Sequence, residues 1–197
     1  MRKRNINIGE VNTIAMMLML LGVLVAACEP APDLFQSFTI KKGEHYADVR
    51  FPETLQQNTL SFQAIFDNSA QYDFGDASLQ TNKNKLFGFS DCNSMHHENS
   101  ARFAWQWFNG QLEIYAYCYV NGGRTEKFIG TVPLNTPSNY RIEVSGSSYS
   151  FYLNNYPPVT IARGNVCDRG VYYMLWPYFG GSVPAPHDVT IKIKKLF

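Results

Sequence analysis

The sequence has almost no net charge and few charged residues. Its 197 residues include 17 Lys and Arg against 16 Asp and Glu, for a formal net charge of +1, and charged residues make up 17% of the chain. Binding to nucleic acids without sequence preference needs a clustered basic surface, which this composition does not favour. We therefore expect no nucleic-acid partner.

The sequence also lacks helical periodicity. After residue 28, no window of eleven or more residues spaces its apolar side chains with the period of an α-helix. The chain is nevertheless 45% hydrophobic and 15% aromatic, which is too apolar for a disordered protein. A chain of this length buries roughly 70% of the surface that it exposes when unfolded. We therefore expect a single globular domain built without long helices.

The first 27 residues have the features of a secretory signal peptide. A basic segment, residues 2–4, precedes an apolar stretch at 13–27 that is too short to span a bilayer comfortably. This stretch ends in Val25-Ala26-Ala27-Cys28, which resembles the lipobox of bacterial lipoproteins. The resemblance implies cleavage before Cys28, acylation of its thiol, for example with palmitate, and a membrane anchor.

The implied anchor divides the chain into three parts. These are a signal peptide at 1–27, the lipidated Cys28 with a short Pro-rich tether at 28–35, and a single domain at 36–197. Glu29 follows Cys28 where the inner-membrane retention signal of enteric lipoproteins has Asp. We therefore expect a cell-envelope location at the outer membrane, on either its periplasmic side or the cell surface. The oligomeric state stays open.

Short β-like runs follow one another from Phe35 to the C-terminus. They recur at intervals of about 8 to 12 residues and are separated by Gly, Asn, Asp, Ser and Pro, a pattern typical of a sandwich or barrel. Tight hairpins are predicted at Asn109-Gly110 and at Asn121-Gly122-Gly123, because Asn and Gly accept positive φ angles. The predicted strands are 36–41, 59–66, 84–90, 100–108, 111–120, 124–132, 139–145, 148–154, 158–163, 170–178 and 188–195.

The predicted strand at 111–120 separates an apolar face from an aromatic one, because alternate residues of a strand point to opposite faces of a sheet. The preceding strand carries Arg102 and Gln106 in one register and Phe103 and Trp105 in the other, and the sequence leaves open which register joins the aromatic face. The apolar set is Leu112, Ile114, Ala116, Cys118 and Val120, and the aromatic set is Gln111, Glu113, Tyr115, Tyr117 and Tyr119.

The order of the C-terminal segments resembles the second half of a concanavalin A-like lectin/glucanase jelly roll. The segments that carry the resemblance are 140–146, 148–155, 170–181 and 185–193. In that superfamily, a strand pair precedes the strand that closes the concave sheet, and the last strand returns beside the first. The resemblance implies an all-β fold, a two-sheet antiparallel sandwich. It does not imply one activity, because the superfamily contains lectins, hydrolases, lyases and binding modules.

An aromatic sheet face favours carbohydrate binding. Sugar rings pack their C–H faces on flat side chains, while Arg, Glu and amide groups bond the hydroxyls. A polysaccharide is therefore the expected partner, and the alternative is that the rings cover a second apolar layer. The predicted ligand-binding residues are Tyr115, Tyr117, Tyr119, Glu113, Arg102, Trp176 and Tyr178.

An enzyme is the second hypothesis, because polysaccharide lyases with this architecture combine a cation with His and Tyr. Arg102, His96 or His97, and Tyr117 or Tyr115 supply these groups, although the Gln-Ile-His motif of the lyases is absent. The glucanase mechanism needs two carboxylates on one strand face, and Glu113 has no such partner. A structural or assembly lipoprotein is the third hypothesis.

The remaining predictions concern cysteines and ions. In an oxidising envelope we expect a bridge between Cys92 and Cys167, whereas Cys118 is expected as a buried thiol. No cofactor is required, but a structural calcium ion is one interpretation of Asp67 and Asp188. Turn capping by these carboxylates is the alternative, and a metal site within the loop 91–98 is not favoured.

Overall fold

Twelve β-strands account for most of the described chain, which comprises residues 34–164 and 172–196 of this computed structural model. Residues Phe35–Phe197 group into one compact unit. The strands are β1 (Gln36–Ile40), β2 (Thr54–Leu55), β3 (Thr59–Phe66), β4 (Asn84–Ser90), β5 (Ser100–Phe108), β6 (Gln111–Val120), β7 (Gly123–Val132), β8 (Ser138–Ser145), β9 (Ser148–Leu153), β10 (Val159–Ala162), β11 (Tyr172–Leu175) and β12 (Val189–Leu196).

The strands form two six-stranded antiparallel sheets. The first has the order β1-β12-β3-β8-β9-β10 and the second has the order β2-β11-β4-β5-β6-β7. The last strand, β12, returns beside β1, with Phe38 opposite Ile191. The predicted all-β, two-sheet sandwich of jelly-roll type is confirmed.

The core lies between the two sheets and follows directly from the alternating sequence. Along β3 every second residue is buried, and these side chains include Phe62, which is fully buried. Its ring stacks on Tyr140 of the same sheet, with centroids 4.9 Å apart, and meets Phe103 of the other sheet edge to face at 5.9 Å. Each such ring contributes roughly 1.5–3 kcal/mol by leaving water, so this aromatic layer holds the sheets together.

The β5–β6 hairpin turns at Asn109 and Gly110, whose φ angles of 49° and 74° are positive as predicted. This turn sets a register in which Arg102 lies opposite Tyr117 and Gln106 lies opposite Glu113. Arg102 and Gln106 therefore share the outer sheet face with the three tyrosines. The alternate residues of β5, including Phe103 and Trp105, are fully buried in the core.

Three short elements escaped the sequence analysis. Strand β2 has two residues, a 3-10 turn spans Asn68–Ala70, and a helix of four residues spans Ala77–Gln80. None of them is long enough to show a periodic pattern of hydrophobic residues in the sequence. The last is stabilised locally, because the Asp76 carboxylate accepts a hydrogen bond of 2.7 Å from the Ser78 N–H.

The predicted strand at 170–178 corresponds in its described part to β11, Tyr172–Leu175. Residues 176–177 leave the strand, and Tyr178 then makes isolated bridges to Tyr46 and Lys85. The strand prediction was therefore too long at its C-terminal end. The reason is that Pro177 has no N–H group to donate to a neighbouring strand.

Several sequence predictions concern residues outside the described ranges. Cys28 and the whole signal segment are among them, and so is Cys167, so the lipid anchor and the pairing of Cys92 stay predictions. Cys118 is a buried free thiol in the core, as expected from its register. Among residues 34–164 and 172–196, we find no helix with the length and apolarity that membrane crossing requires.

The two carboxylates suggested for calcium have protein partners of their own. Asp67 caps the 3-10 turn and accepts a hydrogen bond from the Ser69 N–H at 2.8 Å. Asp188 is bound by the Lys41 ammonium at 2.8 Å and by the Lys42 N–H at 2.9 Å. Within the described ranges, no group of three or more His, Cys, Asp or Glu side chains is arranged to hold a metal ion. Asp67 therefore caps a turn, Asp188 pairs with Lys41, and the calcium ion stays a prediction.

Candidate functional site

A cavity of about 420 Å³ opens on the outer face of the second sheet. It is lined by Tyr117 and Tyr119 of β6, by the end of β11 and by the residues that follow β11. His96 and His97, in the loop between β4 and β5, line it as well. We call this cavity the basic pocket, because four cationic side chains line it: Arg50, Lys85, Arg102 and Arg124.

The basic pocket gathers four cationic side chains from distant parts of the sequence. Arg102 comes from β5, Lys85 from β4 and Arg124 from β7, and Arg50 precedes β2. In the described part of the chain, no Asp or Glu side chain lines this cavity. The four positive charges around this cavity repel each other. An anionic ligand would relieve that repulsion, so the arrangement favours binding of an anion.

Arg102 is the most unusual of these cations because it is buried and has no carboxylate partner among the residues that the structure describes. Its residue is only 7% exposed, and one guanidinium nitrogen, Nη2, donates to the Trp176 carbonyl at 2.8 Å. The Nε atom is buried and has no hydrogen-bond partner among the described residues. Burial lowers the pKa of Arg102 to about 10, so the group stays charged at neutral pH. A buried cation of this kind is stabilised when an anion binds beside it.

Lys85 is the second partly buried cation of the pocket. Its ammonium group donates to the Lys83 and Gly180 carbonyls, each at 2.8 Å. It also lies 5.2 Å from the centre of the Tyr117 ring and 5.6 Å from that of Tyr178. Burial, together with the neighbouring arginines, lowers the pKa of Lys85 to about 8.

The histidines and tyrosines form an aromatic wall. The His96 and His97 rings are 3.9 Å apart, and His97 meets the Tyr119 ring edge to face at 5.5 Å. Burial, followed by the charges of His97 and the nearby cations, lowers the pKa of His96 to about 4, so its ring is neutral at pH 7. Burial raises the pKa of Tyr117 to about 12, so its hydroxyl keeps its proton.

Tyr115 and Glu113 lie on the same sheet face but outside the basic pocket. The Tyr115 hydroxyl donates to Glu113 Oε2 at 2.7 Å, and the Gln106 amide donates to the same oxygen. Burial and this bond to a carboxylate raise the pKa of Tyr115. The Lys83 ammonium donates to Gln106 Oε1 at 2.7 Å, which completes a polar network at this end of the face.

Trp176 and Tyr178 have different surroundings, although both line the pocket. The Trp176 ring stacks on Phe38 at 5.6 Å and packs against Phe87 at 5.2 Å, so much of it belongs to the core. Its contribution to the site is the carbonyl that holds Arg102. Tyr178 stacks on His45 at 5.2 Å and faces the cavity near Lys85.

The structure therefore brings five of the seven predicted ligand residues and both histidines to one cavity. Tyr115 and Tyr119 are half-buried, whereas Tyr117 is only 5% exposed, so the face is open at its two ends and closed at its middle ring. The sequence analysis missed three of the four cations, namely Arg50, Lys85 and Arg124. For Arg124 a signal existed, since it lies opposite Tyr119 two residues after the predicted Asn121-Gly122 turn.

Comparison with known proteins shows the fold but no close relative. No sequence-family profile matches the chain, and no curated protein matches it in sequence. An endo-1,3-beta-glucanase (laminarinase) from Thermotoga petrophila RKU-1 matches in structure with a TM-score of 0.54 and 9% identity, covering 82% of this chain and 75% of that one. Alginate lyase A1-II', of polysaccharide lyase family 7, matches with a TM-score of 0.50 and 12% identity, covering 89% and 87%.

A third match is the alginate lyase from Klebsiella pneumoniae, with a TM-score of 0.53 and 12% identity over 70% of this chain. The chain spans 58% of that lyase's length, and 62% of the length of an alginate lyase from Pseudomonas aeruginosa. Identities this low show the fold alone. The domain thus has the concanavalin A-like jelly roll of glucanases and alginate lyases, and its own activity must be argued from its site.

Proposed function

We propose that this protein binds an acidic polysaccharide, with a uronate carboxylate seated against Arg102 in the basic pocket. The observation that carries the proposal is the buried Arg102 guanidinium, whose Nε has no hydrogen-bond partner and which bonds no carboxylate within residues 34–164 and 172–196. A carboxylate presents two acceptor oxygens that match two guanidinium nitrogens, and such charge-assisted pairs are among the strongest hydrogen bonds.

The surroundings of Arg102 support a sugar rather than a simple anion. Tyr119 and Tyr178 are half-buried rings that line the cavity, and the more deeply buried Tyr117 lines it as well. Pyranose rings pack on such surfaces while their hydroxyls reach the polar groups at the edge. The structural neighbours described as alginate lyases and a laminarinase act on polysaccharides, and this agrees with the proposal.

Replacing Arg102 tests the proposal. We expect Arg102→Met to weaken binding of uronate-containing polysaccharide by about ten- to a hundredfold, because it removes one charge-assisted hydrogen-bonding group. Titration calorimetry with soluble oligosaccharides measures this loss, and laminarin serves as the neutral comparison. Arg141→Met is the matched control, since Arg141 lies on the other sheet and pairs with Glu143. Equal affinities of Arg102→Met and the wild type would overturn the proposal.

Binding should also depend on pH through Lys85. Below its pKa of about 8 this lysine is charged and attracts the carboxylate, whereas above that pKa it is neutral. We therefore expect the affinity to fall several-fold between about pH 7 and pH 9, well before an ordinary lysine titrates near 10.4. A pH series of dissociation constants measures this change. Lys85→Gln should flatten the series, and an unchanged slope in that variant would contradict the assignment.

Polysaccharide lyase activity is a second candidate function. It is favoured because His96, Tyr117 and Arg102 line the same cavity. Arg102 would neutralise the uronate, and the neutral His96 would take the proton from C5. The freed electron pair would form the C4–C5 double bond as the C4–O bond breaks, and Tyr117 would give its proton to the leaving oxygen. Ultraviolet absorbance of the unsaturated uronate tests for this step. Binding without such a product identifies a binding module.

The proposal includes a location at the outer membrane through acylated Cys28. The sequence Val25-Ala26-Ala27-Cys28 supports it, because the lipobox resemblance includes both the small residues and the single cysteine. Stable attachment takes more than one lipid chain, and lipidation at such a site supplies several. Metabolic labelling with a fatty acid, and its loss in Cys28→Ser, is the test.

A further inference from the structure

The sheet face that carries the basic pocket changes its charge beyond the pocket. Glu126 lies opposite Tyr117 on β7, and Glu113 lies opposite Gln106 on β6. Between them are Tyr115 and Phe128, which lie opposite each other with ring centroids 5.5 Å apart. We call this region, defined by Glu113, Tyr115, Glu126 and Phe128, the acidic platform.

The acidic platform carries two carboxylates of its own, Glu113 and Glu126. Its nearby cation is Lys83, whose ammonium lies 4.3 Å above the Tyr115 ring and is already bonded to Gln106 Oε1 and to the Thr81 carbonyl. Glu113 and Glu126 both act on this lysine and Arg124 opposes them, while Glu126 also acts on Lys85 at the edge of the basic pocket. The platform therefore contrasts with the adjoining pocket, where four cations meet no lining carboxylate in the described part of the chain.

The platform also presents apolar surface. Phe128 is 53% exposed, and its ring meets the half-buried Tyr115 edge to face. Alternate residues along a strand are about 7 Å apart, which is roughly the size of one sugar ring. A polysaccharide that runs along β6 and seats one sugar residue beside Tyr117 would therefore place its next sugar residue against this platform.

We propose that the ligand is a polysaccharide in which a uronate alternates with a neutral or N-acetylated sugar, and not a polyuronate. This inference rests on the proposed function and specifies its ligand class. A polyuronate carries a carboxylate on every residue, so one of them would face Glu113 and Glu126, and like charges brought together across an interface oppose binding strongly. A neutral ring would instead pack on Phe128 and Tyr115 without that repulsion.

Two probes and one variant test the inference. Hyaluronan oligosaccharides represent the alternating class and polymannuronate oligosaccharides of equal length represent the polyuronates. We expect the wild type to bind the alternating oligosaccharide at least about tenfold more tightly. Glu126→Gln should strengthen binding of the polyuronate about three- to tenfold and leave the alternating ligand within about twofold. Glu143→Gln, on the other sheet, is the matched control and should change neither affinity.

The outcomes separate this inference from the proposed function. A wild type that prefers the polyuronate, with no gain in Glu126→Gln, overturns the alternating ligand while Arg102-dependent binding stands. Binding of neither probe overturns both proposals. A preference for the alternating oligosaccharide that disappears in Glu126→Gln supports both, because a fold defect would weaken the two ligands alike.

Discussion

Asp91→Ala is expected to lower the free energy of unfolding by about 3–5 kcal/mol, because it breaks a buried ion pair by removing one partner. The Asp91 side chain is fully buried at the end of β4. It accepts hydrogen bonds from Arg163 Nε at 2.6 Å and Nη2 at 2.9 Å, and from the Tyr149 hydroxyl at 2.5 Å. The variant would leave the Arg163 charge buried without this carboxylate. Urea denaturation followed by circular dichroism measures the loss.

Asp188→Ala is the control, because it removes a carboxylate from an exposed ion pair with Lys41. Exposed pairs contribute no more than about 1 kcal/mol, so its unfolding curve should nearly overlay that of the wild type. Similar losses in the two variants would contradict the structural importance of Asp91.

Ionisation of Asp91 also makes the stability of the fold depend on pH. Burial opposes ionisation of Asp91, but its hydrogen bonds to Arg163, Tyr149 and the Cys92 N–H outweigh burial and keep the pKa below its usual value. The resulting stability is therefore present above the unfolded pKa of about 3.9 and is lost as the pH falls below it.

The Asp91 cluster links the two sheets at the point where the site begins. Asp91 follows β4 of the second sheet, whereas Tyr149 belongs to β9 of the first. The loop that starts at Asp91 carries His96 and His97 to the pocket, and Ser94 Oγ donates to the Asp91 carbonyl at 2.8 Å. A contact that stabilises the sandwich therefore also positions the histidine loop.

The strands were predictable because their signals are local. Alternating apolar residues mark β3 and β6, and the pairs Asn109-Gly110 and Asn121-Gly122 mark the turns that join β5 to β6 and β6 to β7. The phenol face of β6 was predictable for the same reason. Once the hairpin register is known, Arg102 must point to that face as well.

The charge of the site was not predictable from the sequence, because it depends on contacts between distant segments. Lys85 and Arg124 meet Arg102 across strands β4 to β7, and Arg50 comes from a connection outside the named strands. A net charge of +1 for the chain gives no sign of such a cluster. Likewise, the bond that holds Arg102 to the Trp176 carbonyl joins residues 74 positions apart.

Gly88→Ala should destabilise the domain by about 3 kcal/mol and impair polysaccharide binding at the same time. Gly88 lies opposite Arg102 in the β4–β5 ladder. A methyl group at this position would overlap the Ala101 carbonyl and would lie 2.6 Å from Arg102 Cα and 2.8 Å from its Cγ. Two of these three atoms belong to the backbone and cannot move aside cheaply, so the strand pairing itself must shift. Denaturant unfolding and calorimetric titration with a uronate oligosaccharide measure the two effects.

Gly181→Ala is the matched control, because it adds the same methyl group beside the same pocket without a clash. Its nearest neighbour would be Asn82 Oδ1 at 3.5 Å, an ordinary contact. We expect this variant to keep wild-type stability and affinity. If Gly88→Ala keeps its affinity for the oligosaccharide despite lower stability, ligand binding by the Arg102 guanidinium does not depend on the close approach of β4 and β5. If it loses both while Gly181→Ala loses neither, the missing side chain of Gly88 is what allows Arg102 to lie buried beneath the ligand.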